Sequence, residues 1–140
     1  MKTLIVAPEG NHRKTLFNAL KLVRRMIPVR TASTWVEAQE LMETHSLPDL
    51  IIFDLQVFPD GDEGCVQQVR EHLPDTPCIA LVETTRQIHL VEAARIDGWL
   101  FKGFRMSDII KIISLAQSIK YQFGARALSK LGSEAHTSCR

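Results

Sequence analysis

Short apolar runs alternate along this chain with longer segments in which apolar residues recur every three or four positions. Runs of about four to eight residues predict buried strands, and the three-to-four spacing predicts amphipathic helices. The pattern predicts a strand followed by a helix five times in succession. The five predicted strands are Leu4–Ala7, Met26–Ala32, Pro48–Leu55, Pro77–Val82 and Gly98–Lys102.

Polar residues mark the expected starts of several helices. Asn11 is predicted to cap the first helix, Ser33 or Thr34 the second and Ser107 the last. A side-chain oxygen at such a position accepts a hydrogen bond from the free N–H groups of the first turn. The fourth helix is predicted to run from Gln87 to Arg95.

The regular alternation and the short connections predict a three-layer α/β domain of the doubly wound type. The right-handed crossover rule favours a five-stranded parallel sheet in the order 2-1-3-4-5. The third strand belongs at its centre, because Ile51, Ile52 and Phe53 form an apolar run suited to burial on both faces. Pro28 favours an edge position for the second strand.

Composition narrows the class of protein without naming a function. The 140 residues include 45% hydrophobic and 24% charged residues, with a net charge of +1. This balance gives no reason to expect a nucleic acid or a membrane as partner, and no apolar run approaches the roughly 20 residues that span a bilayer. The three cysteines have no metal-ligand or disulfide spacing, which favours a reducing, cytoplasmic location.

Candidate chemistry collects at the carboxyl ends of the strands. Asp54 ends the third strand and Lys102 ends the fifth, and ligands of such sheets bind at this edge. The two side chains can form an ion pair or hold an anion. Two simpler interpretations stay open, namely that Asp54 caps the following turn and that the pair is purely structural. The chain has no glycine-rich nucleotide motif and no G-x-S-x-G elbow.

Three segments together resemble the receiver domains of bacterial response regulators. The segment Pro48–Leu55 (PDLIIFDL), followed by a loop rich in Pro, Gly and Asp, resembles their phosphoacceptor strand. Leu73–Leu81 (LPDTPCIAL) resembles the approach to their fourth strand, and Asp97–Lys102 (DGWLFK) resembles their fifth. The resemblance covers residues 2–122 and implies a flavodoxin-like (CheY-like) fold. A receiver-like domain is expected over residues 1–123. The apolar pattern fades from Gly124, so residues 124–140 are expected to form a flexible tail or the start of a linker.

The resemblance implies roles for individual residues. Asp54 matches the aspartate that accepts a phosphoryl group, and Lys102 matches the lysine that pairs with that group. Gln56 matches the position whose backbone carbonyl helps to hold Mg²⁺. Trp99 matches an aromatic switch residue that moves inward on activation.

Three positions depart from the family pattern at the site itself. Receivers have two acidic residues after the first strand, and Ala7 and Pro8 stand there instead. Neither provides the oxygen ligand that Mg²⁺ prefers, although Glu9 follows directly. A hydroxyl-bearing residue usually ends the fourth strand, where this chain has Val82. Thr84 and Thr85 lie close enough for a shifted register to restore a hydroxyl.

These departures predict a degenerate, non-enzymatic receiver in which Mg²⁺ binding is doubtful and ordinary aspartyl phosphorylation is impaired or atypical. Its expected partner is a histidine kinase or another signalling protein. A homodimer is expected through the fourth helix, fifth strand and last helix, with Trp99, Phe104 and Met106 as apolar candidates. The alternative is a small flavodoxin-like enzyme or anion-binding protein that uses Asp54 and Lys102. The chain is also compatible with a piece of a longer regulator.

Overall fold

The computed structural model describes residues 2–22, 28–58, 63–115 and 118. In this part of the chain, strands and helices alternate as the sequence predicts. The strands are Thr3–Val6 (β1), Val29–Ala32 (β2), Leu50–Asp54 (β3), Cys78–Val82 (β4) and Gly98–Phe101 (β5). The helices are Asn11–Lys21 (α1), Trp35–Thr44 (α2), Glu63–His72 (α3), Thr85–Ala93 (α4) and 106–115 (α5), and a 3-10 turn occupies Leu55–Val57.

The five strands form one parallel sheet in the order β2-β1-β3-β4-β5. This is the predicted doubly wound order, so the predicted fold class is confirmed. β2 lies at the edge, where the carbonyl of Pro28 accepts a hydrogen bond of 3.0 Å from the N–H of Thr3. A proline suits an edge because it has no N–H for a second neighbour.

Two apolar layers cover the sheet and explain why β3 has no polar face. Phe53 points to the layer formed with α2, α3 and α4, and Ile52 points to the layer formed with α1 and α5. Both side chains are fully buried. The central position of β3 therefore places its carboxyl end, Asp54, in the middle of the functional edge of the sheet.

The predicted caps are confirmed at one helix and wrong at two. Thr34 caps α2, because its hydroxyl accepts a hydrogen bond of 3.1 Å from the N–H of Glu37. Gly10 is the N-cap of α1 and has no side chain, so Asn11 is instead the first helical residue. α5 starts at residue 106, and its first turn is stabilised by Asp108, whose carboxylate accepts from the N–H of Arg105, rather than by Ser107.

The fourth helix also begins earlier than predicted, at Thr85 instead of Gln87, because Thr84 and Gln87 form a capping box that starts it. It ends at Ala93, short of the predicted Arg95.

Some predictions fall outside the described residues. These are the start of the second strand at Met26, residues 59–62 of the loop after Asp54, and the boundary between residues 123 and 124. Within the described residues, no helix is long and apolar enough to cross a membrane.

Candidate functional site

Asp54 and Lys102 form a buried ion pair at the carboxyl edge of the sheet. Asp54 is the last residue of β3, and Lys102 directly follows β5. Lys102 Nζ lies 2.9 Å from Asp54 Oδ2, and the two side chains are only 8% and 4% exposed. The backbone N–H of Lys102 donates to the carbonyl of Val82 at 3.1 Å, which fixes the start of the lysine side chain beside β4.

The second carboxylate oxygen of Asp54 is also engaged. Asp54 Oδ1 accepts a hydrogen bond of 2.9 Å from the N–H of Gln56, so Asp54 caps the 3-10 turn that follows β3. The turn-capping role and the ion pair therefore coexist in one side chain. Both oxygens have protein partners, which leaves the carboxylate less available to a ligand.

Glu83 is a member of the site that the sequence prediction missed. Its Oε1 lies 3.5 Å from Lys102 Nζ, so the ammonium contacts two carboxylates. The side chain of Glu83 is 49% exposed, in contrast to the buried Asp54. The sequence indicates only that Glu83 lies near this edge, because it is the first residue after β4 and the strand ends meet there.

The described residues around Asp54 do not fit a magnesium site. Ala7, which directly follows β1, is buried, and its carbonyl accepts a hydrogen bond from Arg13. Glu9 is 83% exposed and lies 3.8 Å from the same guanidinium. No cluster of three or more His, Cys, Asp or Glu residues capable of holding a metal occurs among the described residues. Mg²⁺ requires several oxygen ligands in octahedral geometry, and the acidic residues at positions 60 and 62 lie outside the described residues.

Val82 and Thr84, the two candidate switch residues at the carboxyl end of β4, both contribute to the packing or capping of the fold. Val82 is fully buried in the apolar layer beneath α4. The hydroxyl of Thr84 accepts a hydrogen bond of 3.2 Å from the N–H of Gln87, which makes it the N-cap of α4. Thr85 is the exposed first residue of that helix. The Thr84 hydroxyl, which a shifted register could bring to the site, therefore accepts the capping hydrogen bond of α4.

Exposed apolar side chains are concentrated on β5 and α5. Trp99 is 36% exposed and contacts Phe101, which is 46% exposed, in a T-shaped arrangement with ring centroids 5.2 Å apart. On α5, Met106 and Ile110 are 45% and 54% exposed. We call these four residues the β5–α5 patch. Phe104 was expected to join them but packs instead against the layer formed with α1 and α5.

Two surface cavities lie away from the ion pair. One of about 160 Å³ lies beneath the carboxyl end of α2 and is lined by residues such as Leu4, Met42 and Pro48. The other, of about 430 Å³, lies beside the start of α1 and is lined by residues such as Arg13 and Phe17. Neither cavity is lined by Asp54 or Lys102.

Several solved structures are similar to this chain over most of its length. An adenylate cyclase structure from Rhodopirellula baltica is similar with a TM-score of 0.74 and 19% identity over 94% of this chain and 98% of that one. A CheY-like response regulator receiver domain protein from Methanospirillum hungatei JF-1 has a TM-score of 0.71 and 18% identity over 86% and 97% of the two chains. A response regulator receiver modulated diguanylate cyclase from Pelobacter carbinolicus has a TM-score of 0.67 and 21% identity over 89% of this chain and 99% of that one.

No protein-family model and no curated protein matches the sequence. At these levels of identity the similarity establishes the fold and leaves the function open. Most of the similar structures are receiver domains of response regulators. The chain therefore has the CheY-like receiver fold that its three sequence motifs predict.

Proposed function

We propose that this protein is a receiver-like signalling module that acts by binding another protein and does not use ordinary aspartyl phosphorylation. The observation that supports the proposal is the buried Asp54–Lys102 pair. Asp54 ends β3, and its neighbour β1 is followed by Ala7, where receivers have a metal carboxylate. The receiver fold supports the signalling role. The expected partner is a histidine kinase or another signalling protein in the cytoplasm.

The chemistry of phosphoryl transfer supports the second half of the proposal. The moving phosphoryl group carries negative charge that a bound metal ion normally neutralises. Lys102 supplies one positive charge, but Asp54 and Glu83 already share it. An incoming phosphoryl donor would therefore meet two carboxylates and a single ammonium, which disfavours the transfer.

The β5–α5 patch is the proposed binding face. Of the eight large hydrophobic side chains exposed in the described part of the chain, four belong to the patch and a fifth, Leu115, follows on α5. Exposed apolar side chains grouped on neighbouring elements are typical of protein–protein interfaces. We propose that a partner, or a second copy of the chain, covers this face together with α4, and that Trp99 changes position when it does.

An enzymatic or anion-binding role for Asp54 and Lys102 has less support. Ligand sites are usually concave, and neither of the two cavities described above includes the pair. Both oxygens of Asp54 also have protein partners. Some similar structures are named as cyclases, but those names describe the other proteins, and we propose that this chain is not an enzyme.

Intact-mass measurement tests the proposal. The protein is incubated with Mg²⁺ and acetyl phosphate, beside the Asp54→Asn variant as control. The proposal predicts that neither protein gains a phosphoryl group. A stable gain by the wild-type protein that is lost in Asp54→Asn would show a working phosphoacceptor and would refute the proposal.

A further inference from the structure

Glu83 contacts both the buried ion pair and the start of α4. Its carboxylate lies 3.5 Å from Lys102 Nζ, and its backbone N–H donates to the side-chain oxygen of Gln87 in the first turn of the helix. The N–H of Thr84, the N-cap, donates to the same oxygen at 3.3 Å. One residue therefore joins the charged site to the capping box of α4 through a short, continuous set of bonds.

Lys102 is shared unequally between its two carboxylates. Asp54 is close, at 2.9 Å, and buried, whereas Glu83 is farther, at 3.5 Å, and half-exposed. The attraction to Asp54 is the stronger of the two, because it acts over a shorter distance and with less screening by water. When the charge at Asp54 falls, the ammonium is free to move toward Glu83.

The neighbouring side chains at this end of β4, Val82 and Thr84, carry no charge. Val82 is apolar and fully buried. Thr84 uses its hydroxyl to cap α4. Among the described side chains of this segment, Glu83 is the one that makes an ion contact with Lys102.

We propose that Glu83 is a positioning residue that transmits the charge of the Asp54 site to the first turn of α4. The inference rests on the signalling role proposed above and names the route by which the buried pair acts on a helix of the binding face. In this arrangement the carboxylate of Glu83 takes the place of the missing hydroxyl as the group that senses the state of Asp54. Its movement pulls or releases the backbone that begins α4.

Amide NMR spectra of four proteins test the proposal without any ligand. These are the wild type, Asp54→Asn, Glu83→Gln and the double variant, and the readout is the chemical shifts of the Thr84 and Gln87 amides. Asp54→Asn removes the stronger partner of Lys102 and is expected to shift both amides. In the Glu83→Gln background, the same Asp54→Asn change is expected to produce less than about half of that shift, because coupled neighbours are non-additive.

Equal Asp54→Asn shifts in the two backgrounds, or no shift at Thr84 and Gln87 at all, would overturn the proposal. The control background is Glu92→Gln, which removes an exposed carboxylate from α4 and is expected to leave the Asp54→Asn shifts unchanged. If Asp54→Asn does not fold, Lys102→Gln replaces it in the same cycle with the same expectation. Phosphorylation by acetyl phosphate would refute the proposed function and leave this cycle untouched, so the two failures are distinguishable.

Discussion

The Asp54–Lys102 pair is held by burial as much as by charge. Both side chains are almost inaccessible, and Asp54 also accepts a backbone hydrogen bond from Gln56. Replacement of Lys102 leaves Asp54 as an uncompensated buried charge, which costs more than the pair itself contributes. The pair is therefore a strong constraint on the sheet edge whatever its signalling role.

Because of this constraint, removing Lys102 alone should destabilise the protein more than removing both charges of the pair. Lys102→Met is expected to lower the free energy of unfolding by about 3 kcal/mol, because it strands the carboxylate of Asp54. The Asp54→Asn/Lys102→Met double variant is expected to lose less than Lys102→Met alone. Urea denaturation measures both, with Lys111→Met, on the exposed side of α5, as a matched control that should change stability by less than about 0.5 kcal/mol. A double variant less stable than Lys102→Met would contradict the prediction.

Cys78 gives a second prediction at the level of a single residue. Burial raises the pKa of its thiol to about 12, the nearby Asp97 adds to the rise, and Arg70 opposes it. Because the thiolate is the reactive form, iodoacetamide at mild alkaline pH should leave Cys78 unmodified in the folded protein and label it after unfolding. Peptide mass mapping reads the result against Cys65, which is partly exposed. Equal labelling of the two cysteines in the folded state would be inconsistent with the burial of Cys78.

At the scale of elements, strands could be predicted more reliably than helix starts. An apolar run such as Ile51–Phe53 has one physical outcome in a doubly wound sheet, burial on both faces. A helix start has several solutions, and α5 uses Asp108 in its first turn where Ser107 was expected, because a side chain three residues into a helix can also reach back. The exposure of Phe101 was not predicted, for another reason. β5 lies at the edge of the sheet, where Trp99 and Phe101 remain partly accessible to solvent.

In the site, too, the residues whose positions are set by the strands could be predicted, whereas the contacts that depend on side-chain orientation could not. Asp54 and Lys102 could be predicted because their places depend on strand order alone. Glu83 could not be assigned to Lys102 from its position, because the contact depends on where a flexible, half-exposed side chain points. Thr84 was expected as a substitute switch hydroxyl, and only the structure shows that the capping box uses it.

The capping box of α4 predicts a local loss of stability. Thr84→Ala removes the hydroxyl that accepts from the N–H of Gln87 and is expected to cost about 1 kcal/mol. The matched control is Thr85→Ala, which changes the same residue type one position later, inside the helix, where alanine is well tolerated. Thermal and urea unfolding should separate the two. A loss in Thr85→Ala as large as in Thr84→Ala would argue against the cap.

At the scale of the whole molecule, the receiver fold accommodates sequences that share about a fifth of their residues with this chain. Lys102 of the buried pair directly follows Phe101 of the β5–α5 patch in the chain. A change in the pair therefore has a short path to the proposed binding face. This proximity supports a module that works by contact.

Measurements of self-association test whether the β5–α5 patch is a dimer interface. If a second copy covers the patch, Ile110→Asp or Phe101→Asp should weaken the dimer by about tenfold or more, because each places a charge in an apolar interface. Val36→Asp, at a 64% exposed position on α2, is the matched control and should leave the dimer unchanged. Sedimentation equilibrium measures all four proteins. A wild-type protein that stays monomeric at high concentration would contradict the homodimer and leave a different protein as the partner.

The central claim is that the described residues at the carboxyl edge of the sheet form a buried ion pair and lack the set of ligands that a metal requires. The most direct measurement is a Mg²⁺ titration followed by NMR at the amide of Gln56, which donates to Asp54 Oδ1. The wild type should show no saturating shift at millimolar Mg²⁺, whereas Pro8→Asp, which restores one carboxylate beside the pair, should show one. A saturating shift in the wild type that disappears in Asp54→Asn would contradict the account and indicate a working receiver site.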